Sequence, residues 1–416
     1  MNKVSALRNE QMQKKATVGF ILGTMFIESV GFGILIPVLP DIFKRFGQGN
    51  EFVASWYGYF VAIYALMQFL ASPLLGALSD GFGRRPVLLV SLLFGGLDYL
   101  MMAFAPNLGV LFLGRVLAGL TGAVHTVASA YMADVSLAED RSRNFGLIGA
   151  AFGVGFIAGP ILGGMAAHYG GPETPFLVAS LMSLLNFLFG WFVLPESLPK
   201  EQRRPITWSA INPFKMLARL FLGNFPLRWI ALFALMFLVG QVHPSTWTLY
   251  TQFQFGWNAS DVGVSLALVG VSMAVVQGAM ISKVVNWLGE NGTIFWGTLI
   301  STLTFCGFAF LKEGWMVYLF IPLFGVSGVV GPVLQSKISA NIPSNEQGEL
   351  QGSMMALNSL ISVFAPVCYT NVFVFFSSKS SHPFGGASYL MAGVISGFLT
   401  VMAYYLIRSN TGKAEP

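Results

Sequence analysis

The sequence predicts an all-α polytopic membrane protein with 12 transmembrane helices, and three observations carry that prediction. Hydrophobic residues make up 55% of the 416 and charged residues only 10%, with a mean hydropathy of +0.67. A soluble domain carries about 25% charge, so the solvent for this chain is lipid. Apolar runs of about 20 residues, the length that crosses a bilayer, recur from end to end. Lys and Arg then fall on alternate sides of those runs with a strong bias.

The runs lie near 16–39, 52–78, 86–104, 108–133, 143–167, 175–194, 228–252, 261–286, 292–311, 315–339, 349–376 and 387–408. The first is too long for the apolar core of a signal peptide and reads as an uncleaved span behind a polar, basic tail, residues 1–15. With 12 spans, both chain ends share one side. That side holds 18 of the 23 Lys and Arg residues. The other holds Lys44, Arg45, Lys312 and Lys379, and Arg115 lies within a span. The bias puts both termini in the cytoplasm, at the inner membrane if the cell is bacterial.

The longest polar connection, residues 195–226, divides the chain into six-helix halves, 16–194 and 227–408, followed by a tail, 409–416. Within it Asn212 can cap and Pro213 can start a helix with Phe214, Leu217, Ala218 and Phe221 on one face and Lys215 and Arg219 opposite. That pattern fits a helix lying on the membrane surface, and a disordered tether is the alternative. The halves look like repeats: 14 residues separate Gly146 from Pro160 in span five, and Gly352 from Pro366 in span eleven. Parallel six-helix repeats are a transporter architecture.

The loop between spans two and three reads GALSDGFGRRP, residues 76–86. Gly83 permits a tight turn, Asp80 can pair with an arginine or cap the next helix, and Arg84 and Arg85 supply cations. Arg115 opens span four within GRVLAGLTG. A lone arginine there needs an acidic partner or a wet cavity, or else snorkels to the cytoplasmic surface. Span five carries Gly149, Gly153, Gly155, Gly159, Pro160, Gly163 and Gly164. Spacings of four make small-residue faces for close packing, and the proline adds a bend.

The 76–86 loop resembles the signature of the major facilitator superfamily, G-x-L-x-D-x-x-G-R-R/K. GVGFIAGPILGG is similar to the antiporter motif of its drug-exporting members. Much of the N-terminal half, including GFGILIPVLP, YALMQFLASPLLGALSDGFGRRPVLL and LDYLMMAFAP, resembles the tetracycline/proton antiporters. In the C-terminal half the likeness thins to WTLYTQFQFGW and GELQG. The resemblance implies two six-helix bundles in the major facilitator fold and a cytoplasmic gate at Asp80, Gly83, Arg84 and Arg85. It implies proton-transfer assistance by Arg115 and close helix packing at Gly155, Gly159, Pro160 and Gly163.

Ionisable residues at membrane depth are the candidates for chemistry. Glu28 in span one and Asp98 in span three each lie about 12 residues into their helices, near mid-membrane. An exposed anion is costly there, so each is expected to face a cavity or to hold a proton, which is what proton coupling needs. The alternative for both is a hydrogen-bonded core acid. The antiporters carry acidic residues at both matching places. His125 in span four and His243 in span seven are further coupling candidates or hydrogen-bonding packers. Span seven is expected to break at Pro244. Gln68, Gln241, Trp247, Tyr250, Gln277 and Asn358 are candidate cavity residues. Where the antiporters have a coupling histidine in span eight and an aspartate in span nine, alignment places Met273 and Ser301. No carboxylate lies deep in a C-terminal span, since Asp261, Glu313 and Glu349 are at ends.

The expectation is a secondary active transporter, exporting an amphipathic drug-like molecule against protons by alternating access. Its partners are that small molecule, protons and the bilayer, with no nucleic acid, and a single chain suffices. Alternatives are a facilitator or importer of a metabolite or lipid on the same fold, and a non-transporting receptor. No Ser/His/Asp constellation, phosphate-cradling loop or metal-ligand spacing points to an enzyme, a cofactor or a metal.

Overall fold

The computed structural model describes residues 2–47, 49–122, 124–136, 141–203, 212–222, 226–340, 347–379 and 383–411. Helix is the only regular structure among them. Eleven helices have the length and apolarity to cross a membrane. In chain order these are span one (Thr17–Leu35), two (Glu51–Phe82), three (Arg84–Ala103), four (Leu108–Val135), five (Leu147–Gly170) and six (Thr174–Val193). Then come seven (Leu227–Phe255), nine (within Lys283–Ala309), ten (Met316–Ala340), eleven (Ser353–Ser378) and twelve (Ala387–Arg408). Span eight starts as the shorter apolar helix Ala259–Val275 and continues through a π turn, Val276–Met280. It meets span nine at Gly289, whose backbone (φ 69, ψ 170) breaks an otherwise continuous helix. The helix of span one begins at Asn2, so the polar stretch ahead of the apolar run continues it.

The chain groups into two compact units, Met1–Val38 with Leu66–Asn212, and Leu39–Ala65 with Pro213–Pro416. Each repeats the same helix pairings. In the first, span one packs along span five and span three along span six. In the second, span seven packs along span eleven and span nine along span twelve. Spans five and eleven carry their prolines, Pro160 and Pro366, inside the helix.

Glycine makes the pairing of spans one and five possible. A Cβ on Gly155, Gly159 or Gly163 would collide with the span-one carbonyl oxygen of Phe26, Val30 or Ile34, respectively. These form one small-residue stripe, four residues apart on each helix, where backbone meets backbone. Gly149 and Gly153 of the same helix face open space. The outer faces are apolar instead of charged. Leu181, Leu185, Leu188 and Phe192 line one side of span six, each at least half exposed. That is the surface a helix presents to lipid.

The connecting segment forms a helix, Pro213–Leu222, that packs on span eleven. Its inward stripe differs from the expected one. Pro213 and Leu220 are buried and Leu217 is half-buried, whereas Phe214 is 60% exposed and Ala218 is also exposed. The side chains of Arg219 and Phe221 lie outside the described residues. The expected stripe ran through Phe214 and Ala218, and packing on span eleven selects a face about one-quarter turn away.

Candidate functional site

Three charged side chains meet inside the first unit. Glu28 lies about two turns before the end of span one, Asp98 about one and a half turns before the end of span three, and Arg115 about two turns into span four. Antiparallel neighbours thereby bring them to a common depth. Asp98 is 3% exposed and Arg115 4% exposed. Arg115 is thus internal and does not snorkel to a surface. Asp98 lies within electrostatic reach of both the Arg115 guanidinium and the Glu28 carboxyl. Neither carboxylate oxygen of Asp98 has a side-chain hydrogen-bond partner among the described residues. The Tyr99 backbone N–H is the hydrogen-bonding group beside Asp98. Glu28 is half-buried.

The surroundings are tightly built. The Tyr99 hydroxyl stands 2.8 Å from where a Cβ on Gly31 would be. The Asn186 amide donates to Thr24 Oγ1 at 3.1 Å, tying span six to span one. Span four breaks at Gly122, and the Gln68 amide donates to the freed carbonyl of Gly122 at 3.1 Å. That bond gives Gln68 a role in closing a helix break. The ring of His125 meets Phe152 of span five edge-on, with centroids 6.3 Å apart.

At the other end of the same unit, the 76–86 loop is the centre of a charge cluster. Arg84 is buried, and its Nη1 donates to Asp80 Oδ1 at 2.6 Å and Ser79 Oγ at 2.6 Å. Its Nε donates to Asp134 Oδ2 at 3.1 Å, at the end of span four. Ser197 Oγ donates to the same Asp134 oxygen at 2.9 Å. Glu196, just past span six, accepts the backbone N–H groups of Arg84 at 2.9 Å and Arg85 at 3.3 Å. A carboxylate there satisfies orphan donors and complements the positive helix end of span three. Sequence reasoning identified Asp80, Gly83, Arg84 and Arg85 but missed Asp134 and Glu196, which are distant in sequence. An acid closing each of spans four and six was the available signal.

Gly83 has φ 107 and ψ 156, a region open essentially to glycine alone. A Cβ there would also run into the Glu196 carboxylate. Gly83→Ala is expected to lower stability by about 1–3 kcal/mol, read as a lower unfolding temperature in detergent. An unchanged melting curve would contradict this.

The second unit holds a corresponding loop with the charges exchanged. Gly289 again has a positive φ, and Lys337 at the end of span ten reaches Glu290 at 3.6 Å and Asn291 Oδ1 at 2.8 Å. A cavity of about 400 Å³ lies within this unit. Gln241 and Asn358 line it, together with Gln335, Phe305 and Phe324. So do Met273 and Ser301, the two positions singled out in the sequence as departures from the resemblance. Asn358 Oδ1 has no hydrogen-bond partner among the described residues. The lining offers amides, two hydroxyls (Ser301 and Ser327) and rings, and no formal charge.

Three expected cavity residues have hydrogen-bond partners of their own. Trp247 and Tyr250 are fully buried. The Trp247 indole N–H donates to Ser265 Oγ at 2.9 Å, and the Tyr250 hydroxyl donates to the Phe308 carbonyl at 2.6 Å. Both are core aromatics whose polar tips found partners. Gln68 is committed to the span-four break. The side chain of Gln277 lies outside the described residues, as does that of Glu349. Span seven breaks at Gln241, ahead of Pro244, and the Tyr57 hydroxyl donates to the Pro244 carbonyl at 3.0 Å.

His243 occupies an aromatic box. Its ring stacks on Phe324 at 4.3 Å and on Trp247 at 4.4 Å, with the edges of Phe308 and Tyr389 each 5.5 Å away. Neither ring nitrogen has a hydrogen-bond partner among the described residues.

Membrane-length helices in two units with repeated pairings, a buried acid–base group and a charge-paired loop define a polytopic membrane transporter. The chain belongs to the major facilitator superfamily, which it matches over residues 21–366. It is 39% identical over 375 residues to the class C tetracycline resistance protein of Escherichia coli, covering 90% of this chain and 93% of that one. It is 33% identical over 398 residues to the class H tetracycline resistance protein of Pasteurella multocida, covering 95% and 97%. The crystal structure of the nucleoside transporter NupG superposes with a TM-score of 0.75 at 14% identity, over 95% of this chain and 99% of that one, a likeness of fold.

Proposed function

We propose that this transporter exports an amphipathic, drug-like small molecule in exchange for protons, by alternating access, with both termini in the cytoplasm. The observation that carries this reading is the Glu28, Asp98 and Arg115 group. Its acids are groups at membrane depth that can take and give up a proton, and the Arg115 guanidinium stands within electrostatic reach of Asp98. The uncharged, amide- and ring-lined cavity of the second unit suits a substrate with an apolar body and neutral hydrogen-bonding groups. The likeness to tetracycline resistance proteins makes tetracycline the first molecule to try.

Roles follow from this reading. Glu28 and Asp98 exchange protons. The Asp80, Arg84 and Asp134 cluster, capped by Glu196, holds the cytoplasmic helix ends in one state and releases them in the other. His243 is left out of the proton route, because neither of its ring nitrogens has a hydrogen-bond partner among the described residues.

In proteoliposomes, an imposed pH gradient is expected to drive uphill tetracycline movement, and collapsing the gradient is expected to stop it. Equilibration that ignores the gradient would favour a facilitator, a reading to which the uncharged positions Met273 and Ser301 lend support.

A further inference from the structure

We propose that the first unit binds an acidic phospholipid in the groove between the loop-side ends of spans three and six. This rests on the cytoplasmic placement of that end. The groove has a volume of about 420 Å³. Leu93, Phe187 and Trp191 contribute to an apolar wall, and Arg85 and Arg203 stand at its polar end. The wall continues outward into the lipid-exposed face of span three, where Val90, Phe94 and Leu97 are exposed.

The charges at the polar end do not balance internally. Glu196 is the acid lining the groove, and its oxygens are already committed. Oε1 accepts the N–H groups of Arg84 and Leu198, and Oε2 accepts that of Arg85. Arg203 reaches it only at 3.9 Å. Arg85 Nη2 donates to the Trp191 carbonyl at 2.7 Å. The Nε atoms of both Arg85 and Arg203 have no hydrogen-bond partner among the described residues. The heavily used carboxylate therefore serves the Arg203 guanidinium only at long range and the Arg85 guanidinium not at all, and both leave donor capacity unspent. Buried donors without partners are costly, and a phosphodiester is the anion that matches guanidinium geometry.

The occupant is a lipid, and a free phosphate does not account for the site. A small anion would satisfy the cations and leave the wall bare. A phospholipid covers both, with its phosphate across Arg85 and Arg203 and its acyl chain along Leu93, Phe187 and Trp191. Acidic lipids are concentrated in the cytoplasmic leaflet, where each nearby Lys or Arg contributes about 1 kcal/mol to attraction.

The test uses the purified full-length protein in detergent, with phosphatidylglycerol, phosphatidylcholine and inorganic phosphate as probes. Phosphatidylglycerol is expected to raise the unfolding temperature, and the other two are not. Arg203→Gln is expected to weaken the response about fivefold. Lys200→Gln, an exposed cation one turn away that does not line the groove, is expected to keep it. A readout independent of folding yield is quenching by phospholipids with brominated chains, taken as the difference between wild type and Trp191→Phe. Brominated phosphatidylglycerol is expected to quench Trp191 more than brominated phosphatidylcholine, and Arg203→Gln to erase the preference. Equal responses to the two lipids, an undiminished response in Arg203→Gln, or full stabilisation by phosphate alone would each overturn the proposal. None of these readouts depends on export, so failure here is distinguishable from failure of the transport reading.

Discussion

Asp98→Asn is expected to reduce pH-gradient-driven export by on the order of 100-fold, the usual weight of a positioned proton-transfer group. The substitution keeps the size of the side chain and removes its ability to carry a proton. Asp98 is buried, lies in the field of Arg115 and Glu28, and has no side-chain hydrogen bond that the amide would break. The variant should therefore fold normally, and its unfolding temperature in detergent separates lost function from lost structure. Replacing Asp98 also leaves Arg115 without the opposing carboxylate, so Arg115→Gln in the Asp98→Asn background should cost less than Arg115→Gln alone. Gradient-driven transport at the wild-type rate in Asp98→Asn would remove this acid from the mechanism.

The second large effect is structural. Gly159→Leu should destabilise the protein by about 2–3 kcal/mol or more, because the new side chain enters backbone and has no flexible neighbour to displace. A Cβ at Gly159 would already stand 2.9 Å from both the Val30 carbonyl oxygen and the Gly33 Cα. Gly149→Leu, on the same helix but facing open space, supplies the control and should unfold close to the wild-type temperature. Equal losses from the two would mean that glycine content, and not contact with span one, explains span five.

Much of the fold was legible because lipid imposes a simple rule, about 20 apolar residues for every crossing. The 12 expected spans overlap the observed helices, and the glycine stripe of span five could be read from spacing alone. The expected depth of Glu28 and Asp98 came from the same kind of rule, since residue count along a helix converts to depth, whereas Arg115 was read only as opening span four. The convergence of the three was not legible, because it depends on which helices are neighbours. Asp134 and Glu196 illustrate that gap: nothing beside either residue announces the Arg84 it serves. Trp247 and Tyr250 were ambiguous for a different reason. An aromatic beside a polar residue reads the same whether it lines a cavity or fills a core, and only partners such as Ser265 decide between them. The helix at 213–222 was legible as amphipathic, but its buried stripe was chosen by span eleven.

In the proposed cycle, substrate displaces a proton from the Glu28 and Asp98 pair. The direct measurement is proton release on adding tetracycline to the purified protein in weakly buffered detergent, beside tetracycline binding by calorimetry in the same sample. The wild type is expected to release about one proton for each tetracycline bound near neutral pH, as linkage between two competing ligands requires. Release should be absent from the Glu28→Gln, Asp98→Asn double variant while binding persists. Binding without release in the wild type, or undiminished release in the double variant, would contradict the proposed cycle.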